Sequence, residues 1–553
     1  MKAQTTRRSF LKKMLYTGCG TALSPLASFS CSSHSEFDMI IRGGTVFDGT
    51  GTDPVIHDIG ITGDKITGIG DLAGAQARTI LDAVGMYVSP GFIDIHSHTD
   101  TGLIENPRGE SKIRQGVTLD IGGNCGSSPF PGKIEGIETL TSAAECTGYG
   151  DFIDRLHEQS FALNFASYAG HGTIRRLVLG SEAREPDADE LAMMKDLVRM
   201  AMEQGSMGLS TGLEYRPSGF AAREEVIELC KVVTEFNGVY ATHMRSEDEH
   251  LVEAVNEAIY TARESGVSLQ ISHLKAAGKP NWHKVDTVLN LIENTRNDGL
   301  NVHYDRYPYT AYSTGMTLFY PGWALEGSTS AFIERLKQNE TKQRMKKETL
   351  EKVEANGGWE TMMISDLRSE AHSSYIGKRV DEIAGGAGAD IYEFVCDLLI
   401  EENGSIGIVG FGMDETNTER IISSPYCMIA SDGNATSAER AQRSGKPHPR
   451  SFGTFPRAIR NYTLDRNTVP MPEMIRKMTS MPAEKLGISE RGIIRKNAYA
   501  DIVVFDPETI RDKATYIEPW HYPEGIDTVI VNGETAVDKG IQTDALQGRV
   551  ITG

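Results

Sequence analysis

Two histidines separated by one residue, His96 and His98, close an apolar run over residues 87–95. Along an extended backbone, residues i and i+2 point the same way. Both imidazoles can therefore reach one point at the carboxyl end of a strand, and neutral imidazole is a common metal ligand. Four more side chains with metal chemistry stand where apolar runs end: Cys125, His243, His273 and Asp432. Any one of them is more often a satisfied polar residue than a ligand, but six in the same phase define a candidate site. Thiolate, imidazole and carboxylate together favour zinc over calcium or magnesium.

The elements that must position these residues alternate in type. Apolar strand patterns over 87–95, 117–121, 164–168, 206–211, 239–243, 268–273, 302–307 and 426–430 are separated by helical periodicity, clearest over 187–204, 224–236, 251–265 and 284–297. Repeated β-α units predict a parallel sheet with helical cover. Eight strands fit a closed (β/α)8 barrel of α/β class, whose chemistry sits at the carboxyl ends of the strands. Residues 36–89 are short β-rich runs punctuated by Gly43-Gly44, Asp48-Gly49 and Gly63-Asp64, and a similar texture returns over 490–553. The two ends are expected to pair into one small β-sandwich bracketing a barrel over 90–489. Residues 312–425 are too long for one β-α unit; they read as an insertion over the barrel mouth, with a helix across 331–352.

The chain has 553 residues and a formal charge of -20, which argues against nucleic-acid binding. Residues 1–35 carry Lys2, Arg7, Arg8, Lys12 and Lys13 and no acid, and Thr6-Arg7-Arg8-Ser9-Phe10-Leu11-Lys12 resembles a twin-arginine export signal. The expectation is an exported protein, periplasmic or lipid-anchored through Cys31. Ser28 stands where lipoprotein signals usually place an aliphatic residue, so ordinary signal cleavage competes with the anchor. The body holds Cys125, Cys146, Cys230, Cys396 and Cys427, too few for a disulfide framework and odd in number, so at least one thiol has another task.

From residue 37 onward the chain resembles the amidohydrolase superfamily, and within it the N-acyl-D-amino-acid deacylases (D-aminoacylases). The resemblance rests on residues 91–100, Gly122-Gly123-Asn124-Cys125-Gly126, Gly208-Leu209-Ser210-Thr211-Gly212-Leu213, Thr242-His243-Met244-Arg245-Ser246-Glu247, Ser272-His273-Leu274-Lys275, Tyr307-Pro308-Tyr309-Thr310, Ser431-Asp432-Gly433 and residues 448–457. Hydantoinase-like relatives bridge two metals with a carboxylated lysine at the end of strand four. Here that strand ends at Ser210-Thr211-Gly212, and Cys125 matches the cysteine that the deacylase branch uses instead. The resemblance implies a tight zinc site of Cys125, His243 and His273, and a second, weaker position with His96, His98 and Asp432.

The implied reaction is hydrolysis of an N-acyl-D-amino acid by metal-activated water, with Asp432 as general base and then acid. The substrate is a small molecule with a free carboxylate. Lys275, two residues beyond His273, together with Tyr307 and Arg450, is expected to bind that carboxylate. His448 is a further candidate at the mouth; His171 and Arg245 are either ligand-orienting or structural. A positive Arg216, after strand four, would favour acidic side chains. A dipeptidase or a cyclic-amide hydrolase on the same scaffold is the alternative, and a catalytically inactive binding protein a third.

Overall fold

The computed structural model describes residues 35–130, 148–443 and 445–553; the export signal, Cys31 and Cys146 lie outside them. Its centre is a ring of eight parallel strands: β1 (Phe92–Asp94), β2 (Val117–Gly122), β3 (Asn164–Ser167, continued by Ala169–Gly170), β4 (Gly208–Gly212), β5 (Val239–His243), β6 (Ser268–Ile271), β7 (Val302–Arg306) and β8 (Cys427–Ile429). Neighbours pair in chain order from β1 to β8. A parallel bridge between Ser97 and Gly433 closes β1 onto β8. Alternation within each strand makes two cores. Ile93, Leu119, Ala166, Ala241 and Met428 fill the barrel interior, while Phe92, Val117, Tyr240, Leu269 and Cys427 pack in the larger core that includes the helices.

The apolar run 87–95 is not one strand. Tyr87–Pro90 pairs antiparallel with Ile502–Phe505 in a separate sheet, and only Phe92–Asp94 enters the barrel. Gly91 is the switch point: a Cβ there would overlap Thr118 Oγ1, so the chain can turn between sheets this close to β2 only without a side chain.

The separate sheet has nine strands and draws on both ends of the chain. Lys65–Gly70 lies four strands from Ile502–Phe505 in sheet order, about 19 Å away in a flat sheet. Instead Ile66 N–H donates to Ala498 O (3.0 Å) and Ala500 N–H to Asp64 O (2.8 Å), just before that strand. The sheet therefore folds over on itself as a sandwich, around Ile41, Ile59, Ile66, Val88, Ile502 and Ile530.

The segment between β7 and β8 has its own core and an antiparallel three-stranded sheet of Tyr312–Gly315, Ile406–Gly410 and Met362–Leu367. The helix expected across 331–352 is two, Thr329–Lys337 and Asn339–Ala355, because Gln338 is extended (φ -84°, ψ 110°) and breaks the hydrogen-bond ladder. The second of them delivers Lys352 to the barrel mouth.

Candidate metal centre

Three of the six candidate ligands sit just beyond their strands in the left-handed backbone region: Cys125 (φ 51°), His273 (φ 35°) and Asp432 (φ 51°). Non-glycine residues hold such angles at a cost, and only where the surroundings impose them. Here the supports are visible. His273 N–H donates to Asp305 Oδ1 (2.8 Å), Asp432 N–H to His96 O (2.8 Å), and Gly126 N–H to Ser210 Oγ (3.0 Å).

The six side chains converge. Cys125 Sγ lies 3.9 Å from His243 Nδ1 and 3.6 Å from His273 Nε2, and those two nitrogens are 3.0 Å apart. Ligands of a tetrahedral zinc bound at ordinary lengths stand roughly 3.4–3.6 Å apart, so this triangle fits one ion with small adjustments. His96 Nε2 is 3.4 Å from the same Cys125 Sγ, and ligand atoms of His96, Cys125, His273 and Asp432 all lie within 4.8 Å of one another. Asp432 Oδ1 lies 3.5 Å from His96 Nε2 and 2.9 Å from His98 Nε2.

Each of the three buried histidines turns its other nitrogen to a carboxylate. His96 Nδ1 meets Asp305 Oδ1 (3.0 Å), His243 Nε2 meets Glu214 Oε2 (3.2 Å), and His273 Nδ1 meets Glu247 Oε1 (2.8 Å). Such partners fix which nitrogen faces an ion and make it more basic. The carboxylates are themselves anchored: Asp305 by Gln270 (2.8 Å), Glu214 by Lys352 (2.8 Å), and Glu247 by Lys275 (2.5 Å). The sequence reading missed all three. The available signals were an acid in a buried strand for Asp305, and acids inside two matched motifs for Glu214 and Glu247.

The electrostatics ask for a cation. Burial alone would raise the Cys125 thiol, but His96, and then hydrogen bonds from His243 and His273, draw it well below its ordinary value. The contrast is with Cys230 and Cys427, where burial pushes the thiol up, for Cys427 to about 12. Burial lowers His243, yet Glu247 and Cys125 raise it to about 10; His98, likewise lowered by burial, is raised to about 9 by Asp432 and Cys125. Burial would also raise Asp432, but Arg450, followed by His273 and His96, holds it well below the usual carboxylate range.

The three expected carboxylate binders reach the same mouth. Among the described residues, Tyr307 Oη is buried without a partner. Arg450 Nη1 lies 2.6 Å from Asp432 Oδ2, and its guanidinium stands 5.0 Å from the Tyr307 ring. Lys275 reaches the mouth with its ammonium ion-paired to Glu247 and buried. His448 is no ligand here. Its Nε2 donates to Ala311 O (2.9 Å) and its Nδ1 accepts from Arg450 N–H (3.0 Å), which places Arg450. His171 and Arg245 brace the loop after β4, the first through Ser218 Oγ (3.0 Å), the second through Gly219 O and Ala221 O (both 3.1 Å).

A barrel with a thiolate and three carboxylate-backed histidines at its strand ends defines a metal-dependent hydrolase of the amidohydrolase type. The chain belongs to that family: the amidohydrolase family model matches residues 79–290 and 442–537. It is 35% identical over 530 residues to the D-aminoacylase of Alcaligenes xylosoxydans xylosoxydans, covering 94% of this chain and 99% of that one. It is 32% identical over 510 residues to the N-acyl-D-glutamate deacylase of the same organism, covering 90% and 93%. Among solved structures, N-acyl-D-glutamate deacylase from Bordetella bronchiseptica, complexed with zinc and a phosphonate inhibitor, superposes with a TM-score of 0.80 at 30% identity, covering 94% of this chain and all of that one.

Proposed function

We propose that the protein is a zinc-dependent deacylase of N-acyl-D-amino acids, releasing a carboxylic acid and the free D-amino acid. The observation that carries this is the triangle of Cys125 Sγ, His243 Nδ1 and His273 Nε2, with a carboxylate behind each histidine. Those three residues would hold the tight ion. His96, His98 and Asp432 would hold a second, weaker one beside it. A zinc ion supplies carbonyl polarisation and lowers the pKa of water toward about 7.

The rest of the chemistry falls to the chain. Asp432 is kept ionised by Arg450 and can accept the proton of the attacking water, then return it to the departing amine nitrogen. The unpartnered Tyr307 hydroxyl and the Arg450 guanidinium offer donors to the substrate α-carboxylate. Lys275 lines the same mouth with its ammonium held by Glu247. The D-aminoacylase and N-acyl-D-glutamate deacylase relatives, matched over nearly the whole chain, support the linear-amide reading over the dipeptidase and cyclic-amide alternatives. The test is zinc content and amine release for the wild type and Asp432→Asn. Zinc bound by both proteins, with release only by the wild type, is expected; a fully active Asp432→Asn would remove the assigned proton carrier.

A further inference from the structure

The metal residues open into a cavity of about 340 Å³, and its wall carries, besides the Arg450 already paired to Asp432, two further arginines, Arg176 and Arg216. Arg176 comes from the helix His171–Leu179 that follows β3, and Arg216 from the loop that follows β4. Among the described residues neither pairs with a carboxylate. Arg176 donates to a carbonyl, Arg216 O (3.2 Å). Among the described residues Arg216 reaches only Glu214 O, at 3.5 Å, and its Nε is buried with no acceptor. The nearest acid along the chain, Glu214, is already committed to Lys352 and His243. Burial lowers the pKa of both arginines, and the charge of Arg245 lowers that of Arg216 further. A chain with a formal charge of -20 thus keeps two half-buried guanidiniums unneutralised beside its metal residues.

The Arg216 side chain is also held in place. A Cβ on Gly219 would overlap its Nη1, and a Cβ on Gly322 its Nη2, so two glycines make the slot for the guanidinium. The Phe220 ring flanks it at 4.8 Å. His171 and Arg245 brace the loop from the barrel side, through Ser218 Oγ, Gly219 O and Ala221 O. A fixed, partly desolvated guanidinium with open donors is a strong site for a carboxylate.

We infer that Arg176 and Arg216 form an anion subsite that takes a second carboxylate of the substrate, and that the enzyme therefore prefers N-acyl-D-amino acids with acidic side chains. This rests on the deacylase assignment. A second carboxylate could also come from an ω-carboxylated acyl group, such as succinyl, so the test carries one arm for each source. Steady-state kinetics of the full, zinc-loaded chain are recorded for wild type, Arg176→Gln and Arg216→Gln, on N-acetyl-D-glutamate, N-acetyl-D-glutamine, N-acetyl-D-leucine and N-succinyl-D-leucine. Charge-assisted contacts to a carboxylate set the expected kcat/KM ratio of D-glutamate over D-glutamine at about ten- to hundredfold, and it falls at least fivefold in each variant. Ratios within one variant are insensitive to how much of it folds. If the succinyl-over-acetyl ratio falls instead, the subsite stands and the side-chain assignment fails. Neither ratio changing by more than twofold in either variant overturns the subsite. Calorimetric binding of glutarate separates this from failure of the deacylase assignment. Affinity at least fivefold weaker in both variants supports the subsite even if no amide is cleaved, and equal affinity in all three proteins overturns it.

Discussion

Glu247→Gln removes one charge and almost no volume at the point where metal site and substrate mouth share a residue. Glu247 receives the Lys275 ammonium on both oxygens (2.5 and 2.6 Å) and faces His273 Nδ1 at 2.8 Å. Lys275 and His273 are each only 3% exposed, so water cannot replace the lost counter-charge. Burial would push Glu247 up, but Lys275, then His273 and His243, hold it well below its ordinary range, so the native carboxylate is ionised. Breaking a buried pair by neutralising one partner costs about 3–5 kcal/mol. Replacing both partners by neutral groups costs far less, so Glu247→Gln/Lys275→Met is expected to recover most of that loss. A supporting carboxylate is also worth about ten- to hundredfold in metal affinity, or about 1.4–2.7 kcal/mol. The assays are urea unfolding of the metal-free proteins in a double-mutant cycle, and zinc competition against a chelator. A Glu247→Gln protein within about 1 kcal/mol of wild type, with additive mutations and unchanged zinc affinity, would refute both the pairing and its role behind His273.

Lys352→Met leaves Glu214 without its cation. Because Lys352 is 29% exposed, the stability loss is expected to be about 1 kcal/mol, with zinc held severalfold more weakly through His243; unchanged chelator competition would contradict the link. Cys125→Ser should weaken the tight zinc by more than the ten- to hundredfold of a supporting residue, read as zinc retained after dialysis. His303 gives a pH test away from the site. Burial, then Lys485, Arg296, Arg476 and Lys477, push its pKa down to about 2, against roughly 6.5 in the unfolded chain. It stays neutral in the fold, so its effect is flat above about pH 7. As pH falls below about 6.5 the unfolded state gains a proton and stability drops by up to about 1.4 kcal/mol per unit. His303→Gln should lose that slope between about pH 6 and 4, measured by chemical unfolding; parallel profiles would rule the effect out.

The barrel and the cluster at its strand ends were legible because strand-end polar residues interrupt strongly apolar text: His96, Cys125, His243, His273 and Asp432 all stand where a buried run stops. What orients them was not legible in the same way. Glu214 and Glu247 look like surface acids until Lys352, 138 residues away, and Lys275 are seen to neutralise them. Lys275 and Arg450 were recognised as cations of the mouth, but pairing decides their availability, and pairing is a property of the fold. The break at Gly91 was hidden because both halves of 87–95 are apolar; only the approach of Thr118 demands the glycine. The three-stranded sheet between β7 and β8 escaped for a similar reason, since Met362–Leu367 and Ile406–Gly410 are short and lie among stronger helical patterns.

The most direct test of the account is enantiomer-resolved amine release from paired N-acetyl-D- and N-acetyl-L-amino acids by the zinc-loaded protein. Release from the D-series, at least a hundredfold faster than from the L-series on the order that a buried charged contact allows, is the predicted result. Equal rates, or release from the L-series alone, would contradict a site built around Tyr307, Arg450 and Asp432 for the D-configured carboxylate.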